Sequence, residues 1–208
     1  TESISQAPPE RERHGDLSAI ASMPALKNVD LVFLALHGGS GEDGTVQTLL
    51  GDVQIPFTGS SALGSALAMD KDAAKHLFLG VDVPTPEWVI APASIEEVRE
   101  QLGFPLIVKP NAQGSTVGLS LVEEADGLEA AITAARVFDD KVMLERYIPG
   151  RELTVGILDG NALAVGEIIP AEGDIFDYAA KYQAGAAEEI FPADIDSGAA
   201  LRVQELGL

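Results

Sequence analysis

Cysteine is absent from this sequence. That excludes a disulfide framework, a thiol nucleophile and a thiolate metal site, and it accords with a cytoplasmic setting. Basic residues are scarce: 13 Lys and Arg stand against 33 Asp and Glu, for a formal net charge of -20. No basic stripe or cluster exists, so nucleic acid and anionic membrane surfaces are excluded as partners. If the ligand is an anion, the few lysines must gather where it binds. No apolar run approaches the roughly 18 residues of a membrane span. The opening TESISQAPPERERHG lacks the apolar core of a signal peptide and reads as a loop or the middle of a longer chain. At the other end, RVQELGL stops inside a helix-like pattern. Both ends suggest a fragment.

What is present is a globular pattern. The 208 residues, 46% of them apolar, suffice for one large domain or two small ones with a sizeable core. Residues 29–36, VDLVFLAL, form a continuous apolar run, the mark of a strand buried on both faces. They lead into HGGSGEDG and then TVQTLL, a short helix. A glycine-rich loop at the carboxyl end of such a strand is where open α/β sheets bind ligands. IPFTG (55–59) reads as a second short strand. Ser60 or Ser61 can cap a helix through ALGSALA, and Asp70 another through KDAAKHLFL, ended by Gly80. VDVPTPEWVI is extended and bounded by prolines, and SIEEVREQLG carries a capping box of Ser94 and Glu97.

FPLIVKP (104–110) and GLSLVE (118–123) read as strands, DGLEAAITAARVF (126–138) as a helix and KVMLERYI (141–148) as a strand. ELTVGIL (152–158) and ALAVGEII (162–169) make a hairpin across Asp159-Gly160-Asn161. Residues 171–189 are polar and too long for a simple turn, which marks them as a functional loop. The order is α/β at the front, then strands and helices of antiparallel character. Two lobes follow, joined near Ala68–Asp70.

The chemistry gathers around loops. Residues 108–118, VKPNAQGSTVG, are either a polar hairpin turn or a phosphate cradle, and local residues do not decide between them. Gly114 and Gly118 let the backbone approach a ligand, Ser115 and Thr116 add hydroxyls, and Lys109 stands at the strand end as a cation suited to phosphate. Lys71 follows the Asp70 cap at the first helical position, against the helix dipole. It is either a solvated lysine or a ligand contact, and Lys181 in FDYAAKY is a third of the kind. Glu145 and Glu152 flank a strand junction, either as exposed carboxylates or with Glu145 accepting from an amino group in a nucleotide pocket. His37 sits at a strand's carboxyl end beside glycines. Ser115 has no partnering pattern for a nucleophile.

Taken together, ALHGGSGEDGTVQ (35–47), IPFTGS, SALAMDK (65–71), VPTPEWV, FPLIVKPNAQGSTVG, LERYIPGRELTV and FDYAAKY resemble the D-alanine–D-alanine ligase family, in that order and spacing, over residues 29–195. The resemblance implies an ATP-grasp fold of mixed α/β and α+β character. It implies a partial N-terminal α/β lobe (1–68), a central lobe (69–147) and the start of a C-terminal lobe with an omega-type loop (148–208). It implies an ATP- and Mg2+-dependent ligase of peptidoglycan synthesis, cytoplasmic and homodimeric. In that chemistry one D-alanine is activated as an acyl phosphate and a second attacks it.

Carried over by position, Lys71, Lys109 and Lys181 match phosphate-side lysines, and the Gly114 loop a mobile phosphate cover. Glu145 matches the adenine-side glutamate, Tyr147 and Ile148 the backbone lining the base, and Glu152 the ribose glutamate. His37 matches a histidine near the first D-alanine. Ser115 and Tyr182 match two members of a hydrogen-bonded group that closes the site. Tyrosine at 182 resembles ligases that make the dipeptide and speaks against D-lactate as acceptor. Ligases for D-lactate or D-serine, and a non-catalytic nucleotide-binding protein of the same fold, are the alternatives. ERER at 10–13 only partly echoes the family's Ser-x-Glu-Arg-Glu pattern, so its glutamate is not transferred. No metal ligand is assigned within the chain: the Mg2+-binding side chains are expected beyond position 208, which makes the fragment alone inactive.

Overall fold

A computed structural model describes residues 23–170 and 187–208. The reading of 1–22 as a loop, most of the loop 171–189, and with it Lys181 and Tyr182, lie outside the described residues. Two compact units are distinguished, divided between Tyr147 and Ile148.

The first unit contains a four-stranded antiparallel sheet of β1 (Trp88–Ile90), β2 (Leu106–Pro110), β3 (Ser120–Val122) and β4 (Val142–Arg146), in the order β1-β4-β2-β3. Five helices accompany it: α1 (Thr45–Asp52), α2 (Ala62–Met69), α3 (Lys71–Gly80), α4 (Ile95–Gln101) and α5 (Leu128–Arg136). Local chemistry starts three of them. The side chains of Ser61, Asp70 and Ser94 accept from the backbone N–H groups of Gly64, Ala73 and Glu97 at the starts of α2, α3 and α4.

Strand alternation then divides the sheet into two faces. Leu106 and Val108 of β2 and Val142 and Leu144 of β4 point into one hydrophobic core with Val98 and Leu102 around α4. Leu128, Ala131, Ile132 and Ala135 complete that core with the i, i+3, i+4, i+7 stripe of α5. The intervening residues, Ile107, Lys109, Met143 and Glu145, therefore face the other way. Register fixes their neighbours: Ile107 and Trp88 both pair with Glu145, and Lys109 pairs with Met143.

The second unit has a three-stranded antiparallel sheet, β5 (Glu152–Leu158), β6 (Asn161–Pro170) and β7 (Ala187–Ile190), and helix α6 (Ser197–Gly207). Leu158 pairs with Asn161, so the hairpin turn is Asp159-Gly160 alone, with φ of 49° and 71°. Two positive φ values suit the right-handed twist of the flanking strands.

Three expectations differ. Residues 29–36 do not form a strand buried on both faces, and 55–59 do not form a second strand: the pairing there is a single parallel bridge, Val32 with Phe57, and Phe33 is 77% exposed. An apolar run becomes a buried strand only where neighbours cover both faces, and among the described residues none do. Conversely, residues 187–189 lie at the end of the segment expected to be loop yet pair with β6 as part of β7, because an available sheet edge outweighs the weak strand propensity of AEEI.

Gly118 carries a packing constraint beyond its φ of +71°. A Cβ there would sit 2.7 Å from Phe138 Cδ2 and 2.8 Å from Pro110 Cγ, whereas at Gly103 (φ +72°) it would meet nothing within 4 Å. Gly103→Ala should cost about 1–2 kcal/mol, the left-handed penalty alone. Gly118→Ala should cost about 2 kcal/mol more from overpacking. Urea unfolding midpoints of the two variants check this; equal losses would remove the packing constraint.

Candidate nucleotide site

The face of the first sheet turned away from the core carries a cluster of charge. Glu145, its side chain 13% exposed, lies at the centre with both oxygens engaged. Lys109 Nζ on the neighbouring β2 donates to Oε2, and Lys75 Nζ from α3 donates to Oε1, each at 2.5 Å. Lys75 also donates to Thr85 Oγ1 at 2.7 Å and lies over the Trp88 ring, 4.8 Å from its centroid. Trp88 is fixed in turn: its Nε1 donates to Asp72 Oδ1 at 2.7 Å, and His76 packs against it edge to face.

A second group ties the first turn of α3 to the loop after β2. Asn111, 2% exposed, donates from Nδ2 to Asp70 Oδ1 and accepts at Oδ1 from the Asp72 N–H. Its backbone N–H donates to Lys141 O, and its carbonyl accepts from both the N–H and the ammonium of Lys71. Lys71 Nζ donates further to Gln113 O. Lys141 bridges Asp72 Oδ2 at 2.8 Å and Asp70 Oδ1 at 3.4 Å. The base of the glycine loop is thus stitched to a helix start, with an ammonium group beneath it. Within the loop, Ser115 and Thr116 take positive φ of 50° and 59°. A β-branched residue there is a genuine outlier, costing of order 1–3 kcal/mol. The left-handed turn falls on these two residues and on Gly118, not on Gly114.

The cluster shifts its own titrations. Burial presses to raise the pKa of Glu145, but the ammonium groups of Lys109 and Lys75 outweigh it and hold the carboxyl below the usual range. Burial lowers the Lys75 ammonium despite Glu145. Lys71 is lowered to about 8, first by burial and then by the charge of Lys109. Lys141 loses some basicity to burial, but Asp72 and Asp70 more than restore it and raise it overall.

Lys71, Lys109, Glu145 and the Gly114–Ser115 loop therefore come together. The histidine loop approaches them too: Gly38 N–H, next to exposed His37, donates to Glu42 Oε2, and that oxygen lies 3.8 Å from where a Cβ on Gly114 would stand. Tyr147 follows β4 directly and is half-buried. Ile148 and Glu152 belong to the second unit, Ile148 59% exposed and Glu152 exposed at the start of β5, opposite Ile168. Sequence reasoning missed Lys75, Asn111, Lys141 and the Asp72–Trp88 pair. Only Lys75 had a local signal, standing four residues after Lys71 on one face of α3. Among the described residues no group of three or more His, Cys, Asp or Glu could hold a metal ion, and no helix is long and apolar enough to cross a membrane.

The family model described as D-ala D-ala ligase C-terminus matches residues 81–208, and the one described as D-ala D-ala ligase N-terminus matches residues 2–60. The chain belongs to the D-alanine–D-alanine ligase family. A D-alanine–D-alanine ligase of Synechococcus sp. (strain JA-3-3Ab) is 44% identical over 183 residues, 86% of this chain and 57% of that protein. Among solved structures, the D-alanine–D-alanine ligase from Bacillus anthracis has a TM-score of 0.79 at 35% identity, covering 94% of this chain and 64% of that one. The VanG D-Ala:D-Ser ligase from Enterococcus faecalis has a TM-score of 0.72 at 37% identity, covering 86% and 54%. The fold is therefore the ATP-grasp fold of this family. The chain spans little more than half the length of the first curated relatives it matches.

Replacing Glu145 by Gln leaves two enclosed ammonium groups without their counter-charge. The expected loss is about 3 kcal/mol at neutral pH. Because the folded pKa of Glu145 is depressed, its contribution is present above the ordinary glutamate range and is lost as pH falls through the depressed value. Glu145→Gln should accordingly flatten the acid limb of stability against pH. Unfolding at pH 3 to 7 measures both effects.

Proposed function

We propose that this chain supplies the nucleotide-gripping part of an ATP-dependent ligase that joins two D-alanines for peptidoglycan precursors. The observation that carries this reading is the gathering of Lys71, Lys75 and Lys109 around one carboxylate, beside a glycine-bearing loop, in a chain of net charge -20. Two ammonium groups share the one Glu145 carboxylate and Lys71 rests on uncharged carbonyl oxygens beside them, and an anion is what completes such a cluster.

ATP and Mg2+ fit the described residues differently. ATP, when bound, supplies the phosphoryl group that activates the carboxylate of one D-alanine. Its polyphosphate suits Lys71, whose ammonium rests on two carbonyl oxygens, and Lys109, which donates to the Glu145 carboxylate. Magnesium finds no carboxylate set among the described residues and is given no role there.

The chain's own groups act by holding and neutralising charge. Lys71 and Lys109 hold phosphate oxygens, and Lys181 joins them in this reading. The Gly114–Ser115 loop covers the phosphates and excludes water. Glu145 accepts from the amino group of the base, with the backbone at Tyr147 and Ile148 along its edge, and Glu152 accepts from the ribose. His37 orients the first D-alanine, and Ser115 with Tyr182 closes the site over it. Dependence on ATP places the enzyme in the cytoplasm. D-Alanine is the acceptor that the curated relatives' names favour.

The full-length protein should release ADP only when D-alanine is supplied; ADP release indifferent to D-alanine would refute the ligase reading. The Lys71 contact has its own signature. Only the ammonium form attracts phosphate, so nucleotide affinity should hold between pH 6 and 7 and fall about tenfold per pH unit above the Lys71 pKa of about 8. The charges acting on Lys71 are Lys109, Asp139, Glu145 and Asp70. Lys71→Arg, permanently charged, should bind with the same affinity from pH 7 to 9. Calorimetric titration with nucleotide across this range is the check.

A further inference from the structure

The two lysines on Glu145 are seated differently. Lys75 has a side chain 6% exposed and is held on several sides: by Glu145 Oε1, by the Thr85 hydroxyl and by the face of Trp88. Trp88 is itself locked by Asp72, and Asp72 by Lys141 and Asn111. Lys109 is more open, 18% exposed, and is the nearer of the two in its effect on Lys71. A bound anion drawing an ammonium away from Glu145 would take Lys109, because moving Lys75 means breaking a hydroxyl contact and a cation–π contact as well.

We propose that Lys75 is the positioning residue for Glu145: it holds the carboxylate in place and in orientation while Lys109 turns to the phosphates of a nucleotide. This rests on the reading of Glu145 as the acceptor for the purine amino group. The carboxylate is enclosed, and without a counter-charge its burial favours the protonated form. A protonated carboxyl can donate as well as accept, so it no longer refuses a base that presents a carbonyl where adenine presents an amino group. Lys75 thereby sets the choice between 6-amino and 6-oxo purine nucleotides without touching either. The charged groups bearing on this pair are Lys109 from β2 and Lys71 from the first turn of α3, together with Glu87 just before β1, which acts on Lys75.

The test uses the full-length ligase with ATP and ITP as probes, measuring the ratio of their affinities from pH 5.5 to 8. In the wild type the ratio should favour ATP and stay flat. Lys75→Met should lower it at least about tenfold. What remains should rise with pH as Glu145 ionises, and Lys75→Arg should restore both level and flatness. Lys109→Met should weaken both nucleotides together and leave the ratio intact. An unchanged ratio in Lys75→Met would overturn the proposal. So would a ratio that collapses in Lys109→Met, a result readable even if Lys75→Met does not fold. A wild type that binds ATP and ITP alike would instead refute Glu145 as the amino acceptor, and the role of Lys75 would fall with it.

Discussion

A single carboxylate, Glu145, holds two ammonium groups against the floor of a sheet whose other face is a hydrophobic core. Much else in the first unit answers to that arrangement. Ionised groups beside a low-dielectric layer are costly unless each finds a partner. Glu145 meets that need for Lys75 and Lys109 together. It does so from the centre of the sheet, where β4 is flanked by β1 and β2 and its backbone has little freedom to drift. The helix α3 is drawn to this polar face by the same contact, and its first turn brings Asp70, Lys71 and Asp72 to the mouth of the loop after β2.

Positive charge at the start of a helix opposes the helix dipole, and Lys71 stands there. The structure meets this by giving its ammonium the carbonyls of Asn111 and Gln113 and by surrounding the helix start with Asp70, Asp72 and Lys141 in alternating sign. A lysine lowered to about 8 still carries most of its charge at neutral pH, so the group is costly to keep and ready for an anion. A structural lysine would more easily have been placed in solvent.

Local chemistry was readable in the sequence. Ser61, Asp70 and Ser94 cap the helices their positions announce, and the Asp-Gly pair makes the β5–β6 turn, with Asn161 already paired in the strand. Lys71, Lys109 and Glu145 could be singled out because each stands at a helix start or on a strand with a visible loop beside it. Lys75 carried only its spacing of four from Lys71: it otherwise reads as one more lysine on an amphipathic helix, and its burial depends on Glu145, 70 positions away. Asn111 looked like a turn residue, and only packing reveals its place between the helix start and β4. The apolar run 29–36 misled for the same reason in reverse, since burial is a property of neighbours and the run does not specify them.

β2 reads Leu-Ile-Val-Lys-Pro and β4 reads Val-Met-Leu-Glu-Arg, with core and site residues strictly interleaved. A slip of one residue in either strand would turn every side chain to the opposite face. It would drive Lys109 or Glu145 into the core, where Val108 and Leu144 are fully enclosed. Such a misregistered chain would be penalised by the core as much as by the site. Folding therefore proofreads the charge cluster: a chain that packs these strands at all has already set Lys109 and Glu145 side by side.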